Sequence, residues 1–132
     1  MRLTFKTDYC LRVLIYLQTY EGKSRIQDIA DEYGISKNHL SVAVNKLSEL
    51  GYVLSTPGPK GGIEFNPDMA NKTVGELVEK LEDLKIVECF DPEHNTCALN
   101  PQCRLKGMLD KARGSFIDQL KKNKIKDLTA DF

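Results

Sequence analysis

The stretch IQDIADEYGISKNHLSVAVNKLSEL, Ile26 to Leu50, sets the architecture. It reads as two helices joined by a tight turn at Gly34. Ile26, Ile29, Ala30 and Tyr33 form a short apolar stripe. Gly34 stops it, because glycine takes the left-handed conformation of a helix terminus without steric penalty. Ser24 is the expected N-cap of the first of the two helices, with Gln27 completing a capping box. Ser36 is the expected N-cap of the second, which ends at Gly51. A small residue at Ala30 lets the helices approach, Gly34 permits the turn, and Leu40 closes the packing, the spacing of a helix-turn-helix. At about 100° per residue, Leu40, Ala43, Val44, Leu47 and Leu50 fall on one side of the second helix. Asn38, Ser41, Val42, Asn45 and Glu49 fall on the other. Amides that pair with adenine, and a valine that touches a thymine methyl, suit the reading of base edges. Lys37, His39 and Lys46 flank this face and could reach phosphates, and Ser36 at the cap joins the candidate DNA contacts. An ordinary solvated helical hairpin would also carry Asn and Ser outside, so the segment after Gly51 carries weight.

After Gly51 the period changes to that of a strand, Tyr52 to Ser55. A turn-rich segment comes next, Thr56-Pro57-Gly58-Pro59-Lys60-Gly61-Gly62, and then a return strand, Ile63 to Phe65. A β-hairpin directly after the second helix is the order a winged helix needs. The pair therefore points to double-stranded DNA, with Lys60 as the cation of the wing. Upstream, Thr7 is the expected cap of a first helix running to about Tyr20, with Cys10, Val13, Leu14 and Leu17 facing inward. Downstream, Thr73 caps a helix whose inner face is Val74, Leu77, Val78 and Leu81. Residues 84–103 have no periodicity and contain Pro92, Asn95, Asn100 and Pro101. From Cys103 the helical period returns in Leu105, Met108, Leu109, Ala112, Phe116 and Leu120. About twenty such residues make a helix about 30 Å long. It ends near Lys121-Lys122-Asn123-Lys124, and Ile125 to Leu128 add a final turn or a docking tail. The expected fold is mainly α with a small β-hairpin wing: a winged helix-turn-helix plus a long C-terminal helix. The expected parts are 1–83 for DNA, 84–103 as a cysteine-bearing loop, and 104–132 as helix and tail.

Composition narrows the function. The chain has 132 residues, 41% hydrophobic and 29% charged, enough for a core without disulfides or metals. Lys+Arg and Asp+Glu are both 19, so the formal net charge is zero. A nucleic-acid binder should carry a basic footprint. The zero, however, is a sum of net +1 over residues 1–65, net −5 over 66–103 and net +4 over 104–132. With Lys37, Lys46 and Lys60 as the cations near the reading face, few phosphate contacts per subunit are expected, and a shallow salt dependence. The longest apolar run, Val13 to Leu17, is too short for a membrane span or a signal sequence. The cytoplasm is the expected location, where Cys10, Cys89, Cys97 and Cys103 would be reduced. His39 and His94 are the only histidines, and no nucleophile motif or phosphate loop accompanies them. An enzyme is not expected.

Three cysteines fall in the irregular segment, Cys89-x7-Cys97-x5-Cys103. This is neither the close pairing of a zinc finger nor a ferredoxin run. Three thiols on one slack loop can still wrap a compact cluster, and Cys103 opens a helix whose N-terminus favours an anionic ligand. The acidity of the segment favours a cationic occupant. Three other readings stay open: unrelated thiols, a structural zinc, and a small electron-transfer protein without DNA binding. Three cysteines also leave a fourth ligand position. Cys10 lies on an apolar face and suits a core; His94 lies in the loop; Asp8 has Arg12 one turn away to steady its carboxylate.

With these residues in view, the chain resembles the NsrR/IscR family of winged-helix iron–sulfur transcriptional regulators, most closely the nitric-oxide-sensing branch. The resemblance spans essentially the whole chain. It rests on Met1-Arg2-Leu3-Thr4, Thr7-Asp8-Tyr9, Leu11-Arg12, Ser36-Lys37-Asn38-His39-Leu40, Gly61-Gly62-Ile63, and Cys97-x5-Cys103-Arg104-Leu105. It implies a homodimeric repressor, paired through the long helix, whose DNA affinity tracks the state of an iron–sulfur cluster. A 4Fe-4S cluster is favoured, with 2Fe-2S as the alternative, and nitric oxide is the implied effector. The resemblance also implies Cys89, Cys97 and Cys103 as ligands with the partner's Asp8 as the fourth. Lys106 stands where the other branch places a histidine ligand. The same fold sensing iron–sulfur supply or redox state is the nearer alternative. Three features depart from the family: Cys10 replaces a small residue, the wing lacks an arginine before its glycines, and the first two loop cysteines are more widely spaced.

Overall fold

A computed structural model of the chain describes residues 1–99 and 102–132. The loop positions Asn100 and Pro101 lie outside the described residues. The helices are α1 (Phe5–Thr19), α2 (Ile26–Tyr33), α3 (Lys37–Glu49), α4 (Val74–Leu81) and α5 (Arg104–Lys121). Strands β1 (Val53–Thr56) and β2 (Gly62–Phe65) form an antiparallel hairpin between α3 and α4, with Val53 opposite Phe65 and Thr56 opposite Gly62. The chain divides into two compact units, residues 1–72 with 124–132, and residues 73–123.

The first unit is the winged helix. Helix α1 begins earlier than Thr7. Thr4 is the N-cap, and its Oγ1 accepts the Thr7 N–H at 3.3 Å. Thr7 is buried within the first turn, its hydroxyl 3.1 Å from that of Thr4. The helix therefore gains Phe5, Lys6 and Thr7. Its inward face is the expected one: Cys10, Val13, Leu14 and Leu17 are buried. They pack on α3, whose Leu40, Ala43, Val44 and Leu47 are buried in turn. Each large apolar side chain among them contributes about 1.5–3 kcal/mol by leaving water.

Ser24 does not cap α2. Its backbone exchanges two 2.8 Å hydrogen bonds with Ile63, adding a bridge to the wing. The cap position falls to Arg25, which makes no side-chain capping bond, and Gln27 instead donates to Asp31 at 2.7 Å. Sheet pairing satisfies two backbone groups where a capping box would also satisfy two, and it ties α2 to the hairpin as well. Gly34 ends α2 at φ 64°, and Ser36 caps α3 by accepting the His39 N–H at 3.1 Å. After α4 and α5 the chain returns to this unit. Ile125 is fully buried and its N–H donates to Lys72 O at 2.9 Å, so the C-terminal turn is a docked segment.

In the second unit, Thr73 and Glu76 form a reciprocal capping box at the start of α4, with bonds of 2.8 and 3.0 Å. Val74, Leu77, Val78 and Leu81 are buried as their spacing predicts. Helix α5 packs on α4 through a residue that lies outside its expected apolar stripe. Ile117 is buried, whereas Leu105 and Met108 are 56% and 64% exposed. The approach is close at Gly75, where an added Cβ would lie 2.7 Å from the Lys121 backbone nitrogen and 2.9 Å from Ile117 O.

Two outcomes are expected from this packing. Gly75→Ala gains about 1 kcal/mol of helix propensity but forces backbone apart, at about 1–3 kcal/mol. The variant should be less stable, with Tm lower by roughly 2–6 °C in a thermal melt. Burial pushes the Cys10 thiol up to about 12, against the lowering charges of Lys6 and Lys46. At pH 8 the buried thiol then stays protonated, and the thiolate is the reactive form. Alkylation of the folded, metal-free chain should modify the three loop cysteines and reach Cys10 only after denaturation, counted by mass spectrometry.

Candidate functional site

The candidate reading surface is built on α3. Its inner residues are committed to α1, so Asn38, Val42 and Asn45 are left exposed. Asn38 and Asn45 are seven residues apart on one face, about 10 Å along the axis. Val42 between them is 57% exposed. Lys37 and His39 are exposed at the first turn, and Ser36 holds that turn as its cap. Ser41 sits differently. It is half-buried and its hydroxyl donates to Lys37 O at 2.7 Å, which leaves only its lone pairs for a ligand. Lys46 faces Glu49 at 3.6 Å, which tempers it as a phosphate contact. Lys60 is exposed at the hairpin tip.

Two further features adjoin α3. A cleft of about 630 Å³ between the hairpin and the start of the helix pair is lined by Arg25, Lys37, Ser55 and Gly58, among others. A smaller hollow of about 240 Å³ is lined by Phe5, Lys6 and Tyr9 of α1 with His39 and Val42 of α3. Neither Arg25 nor the Phe5–Lys6 pair stands out in the sequence. Once Thr4 is the cap, Phe5 and Tyr9 become an i,i+4 aromatic pair on one helix face. A helix begun at Thr7 hides that signal.

The candidate metal-ligating residues lie in the second unit, except Asp8 and Cys10. Cys89 ends up in a short 3₁₀ turn, Glu88–Phe90, and Cys103 occupies the N-cap position of α5 without a side-chain capping bond. Both line one cleft of about 410 Å³, together with Phe90, Lys106, Asp110 and Arg113. Cys97 is half-buried, its N–H donating to Asn95 Oδ1 at 3.0 Å, and is not among the lining residues. Cys89 and Cys103 are likewise half-buried thiols. Soft thiolate donors on one segment, two facing a common cleft with Lys106 and Arg113 on its walls, fit the ligand class of an iron–sulfur cluster.

The other proposed ligands differ in character. Cys10 is fully buried, and its Sγ–H donates to Ala43 O at 3.6 Å, a core role. Asp8 is half-exposed, and both its oxygens accept from the Arg12 guanidinium at 3.1 and 3.0 Å. The pair holds the carboxylate oriented, and in turn raises the Arg12 pKa. His94 is exposed, with Nδ1 2.8 Å from Asp91. Among the described residues, Asp91, Glu93 and His94 place ligand atoms within 4.8 Å of one another. The hydrogen bond with His94 is the main reason the Asp91 carboxyl lies below its ordinary pKa, helped by the Glu93 N–H and Lys85. The arrangement reads as a solvated loop staple.

Arg113 holds the Cys89 segment from α5. Its guanidinium donates to Leu84 O at 2.9 Å, stacks 4.3 Å from the Phe90 ring centroid, and pairs with Asp110. Only the Asp110 pair, one helical turn away, is legible in the sequence; Leu84 and Phe90 are distant along the chain. Arg113→Ala should raise the alkylation rate of Cys89 in the metal-free chain roughly severalfold, with Cys10 still protected. Arg113→Lys should restore little, since an ammonium has no planar fork to stack and donate at once. Peptide-resolved alkylation kinetics would check both; equal rates would show that other contacts hold the segment.

Known proteins share this arrangement. The family model Rrf2, described as an iron-dependent transcriptional regulator, matches residues 3–131. The chain is 43% identical to an HTH-type transcriptional regulator NsrR of Shouchella clausii, covering 97% of this chain and 88% of that protein. It is 44% identical to the NsrR of Bacillus subtilis, covering 97% and 90%. Among solved structures, CymR, the global cysteine regulator of B. subtilis, superposes with a TM-score of 0.76 at 23% identity, covering 100% of this chain and 98% of that one. IscR of T. potens does so with a TM-score of 0.76 at 20% identity, covering 99% and 88%. A winged helix with an exposed α3, a hairpin after it and a long final helix is thus a shared fold, and the sequence match extends over nearly all of it. The chain belongs to the Rrf2 family of transcriptional regulators.

Proposed function

We propose that the chain is a cytoplasmic, homodimeric repressor that binds an operator in double-stranded DNA and loses affinity when an iron–sulfur cluster responds to nitric oxide. The observation that carries this reading is the joining of two features in one chain. An exposed polar face on α3 is backed by a wing, and three half-buried thiols stand on a segment that runs directly into α5. Residues 1–83 carry the DNA contacts, with Ser36, Lys37, Asn38, His39, Ser41, Val42, Asn45 and Lys60 at the surface. Residues 84–103 carry the ligands, and residues 104–132 the dimer contact.

The ligands in this reading are Cys89, Cys97 and Cys103, with the partner's Asp8 as the fourth. A 4Fe-4S cluster bound there would supply thiolate-held iron open to nitric oxide. The chain's own residues do the rest. Arg12 holds both oxygens of the Asp8 carboxylate, and one of them would have to exchange that bond for the cluster. Arg113 keeps the Cys89 turn on α5. Cys103 is the N-cap of α5, so any restraint on that thiol is a restraint on the first turn of the helix. Leu105 and Met108, two and five residues further on, are exposed within one chain, which supports α5 as the pairing surface. No helix among the described residues is long and apolar enough to cross a membrane.

Sensing of iron supply is the second reading, favoured by the iron-dependent description of the family. One experiment separates them. The protein is purified without oxygen, iron and sulfide are quantified, and a duplex is selected by the protein from a randomised pool. Binding to that duplex is then followed while nitric oxide, oxygen or an iron chelator is added. Loss of affinity with substoichiometric nitric oxide, but not with brief chelation, is the expected result. Unchanged affinity under nitric oxide overturns the effector, and stoichiometric zinc without sulfide overturns the cluster.

A further inference from the structure

We propose that the first turn of α1 is part of the DNA-contacting surface, with Arg2 and Lys6 meeting phosphates while Phe5 and Val42 form an apolar seat for thymine methyl groups. The proposal rests on the DNA-binding reading above and extends it to residues outside the helix-turn-helix. Phe5 is 64% exposed and Val42 57%, two large apolar side chains left in water on neighbouring helices. They line the same hollow of about 240 Å³, with Lys6, Tyr9 and His39.

Single exposed apolar residues are ordinary, but these are organised. Phe5 stacks on Tyr9 with ring centroids 5.8 Å apart, and the Arg2 guanidinium lies 5.6 Å from the Phe5 centroid. Holding an exposed phenyl ring from two sides lowers the entropy lost when a ligand covers it. The helix start is equally fixed, by the Thr4 cap and by the packing of α1 on α3.

Charge identifies the occupant. Lys6 lines the hollow, Arg2 lies beside it over the Phe5 ring, Lys37 is exposed in the first turn of α3, and Val42 joins the hollow to the face that carries Asn38 and Asn45. None of these three cations has an acidic partner within ion-pair distance among the described residues. A surface of exposed cations around apolar side chains suits a polyanion with methyl groups in its groove, which is duplex DNA. It also changes the expected phosphate count, because Arg2 and Lys6 add two cations per subunit to the three predicted from the helix and wing.

The test uses the whole 132-residue chain and the duplex selected from the randomised pool. Affinity is measured over a series of KCl concentrations for the wild type and for Arg2→Ala/Lys6→Ala. Losing two phosphate contacts per subunit of a dimer should make the log–log salt slope shallower by about 3 to 4. A second arm replaces thymine by uracil in the duplex, removing only methyl groups. Wild type should lose several-fold in affinity at one or more thymines. Phe5→Ala/Val42→Ala should bind both duplexes alike. A salt slope unchanged in the double variant overturns the proposal. So does an unchanged slope with weakened dimerisation in sedimentation velocity, which would assign the patch to the partner subunit. Failure of the wild type to enrich any duplex would instead overturn the DNA-binding reading itself.

Discussion

Burial of the inner face of α3 against α1 underlies the winged-helix unit. Cys10, Val13, Leu14 and Leu17 meet Leu40, Ala43, Val44 and Leu47 in a layer with almost no exposed area. The close approach is possible because Ala43 is small, which lets the Cys10 thiol reach its carbonyl. Once that face of α3 is committed, the polar face has no choice but to look outward. The reading surface is thus a consequence of burial on the opposite side of the same helix. The hairpin and the C-terminal turn then secure the layer from its edges, through the Ser24–Ile63 bridge and the buried Ile125.

The zero net charge of the chain dissolves under the same logic. Charges along the sequence cancel, but folding sorts them by place. Arg2 and Lys6 of the N-terminus and Arg25 before α2 are distant in sequence from Lys37 at the start of α3, and the fold brings them beside that start or the hollow next to it. The acid excess lies in the segment with the thiols, where Asp91 is engaged by His94 and Lys85. Net charge describes solubility; the local field describes partners.

Much of the fold is legible in the sequence because amphipathic period and turn chemistry are local. Gly34, the Ser36 cap, the Thr73 cap and the inner faces of α1, α3 and α4 sit where spacing places them, except that Leu50 is the half-buried C-cap of α3. The departures share one cause. Thr4 and Thr7 are equally good caps by residue type, and so is Ser24; which one is used depends on what the neighbouring backbone pairs with. On α5 the apolar stripe reads as one face, yet Ile117 packs on α4 while Leu105 and Met108 stay outside. A helix with two apolar aspects does not announce which will be covered within its own chain.

Residue order alone is enough to specify a winged helix-turn-helix, with three thiols on an irregular segment before a long helix, since each of those features is written in neighbouring residues. It takes the packed chain to bring Cys89 and Cys103 to one cleft, to clamp the turn beside it with Arg113, and to stand the start of α1 next to α3. Each of these joins residues distant in sequence. Such encounters are set by the packing of whole helices, whose outcome depends on the sum of buried area and satisfied backbone groups and not on any local pattern.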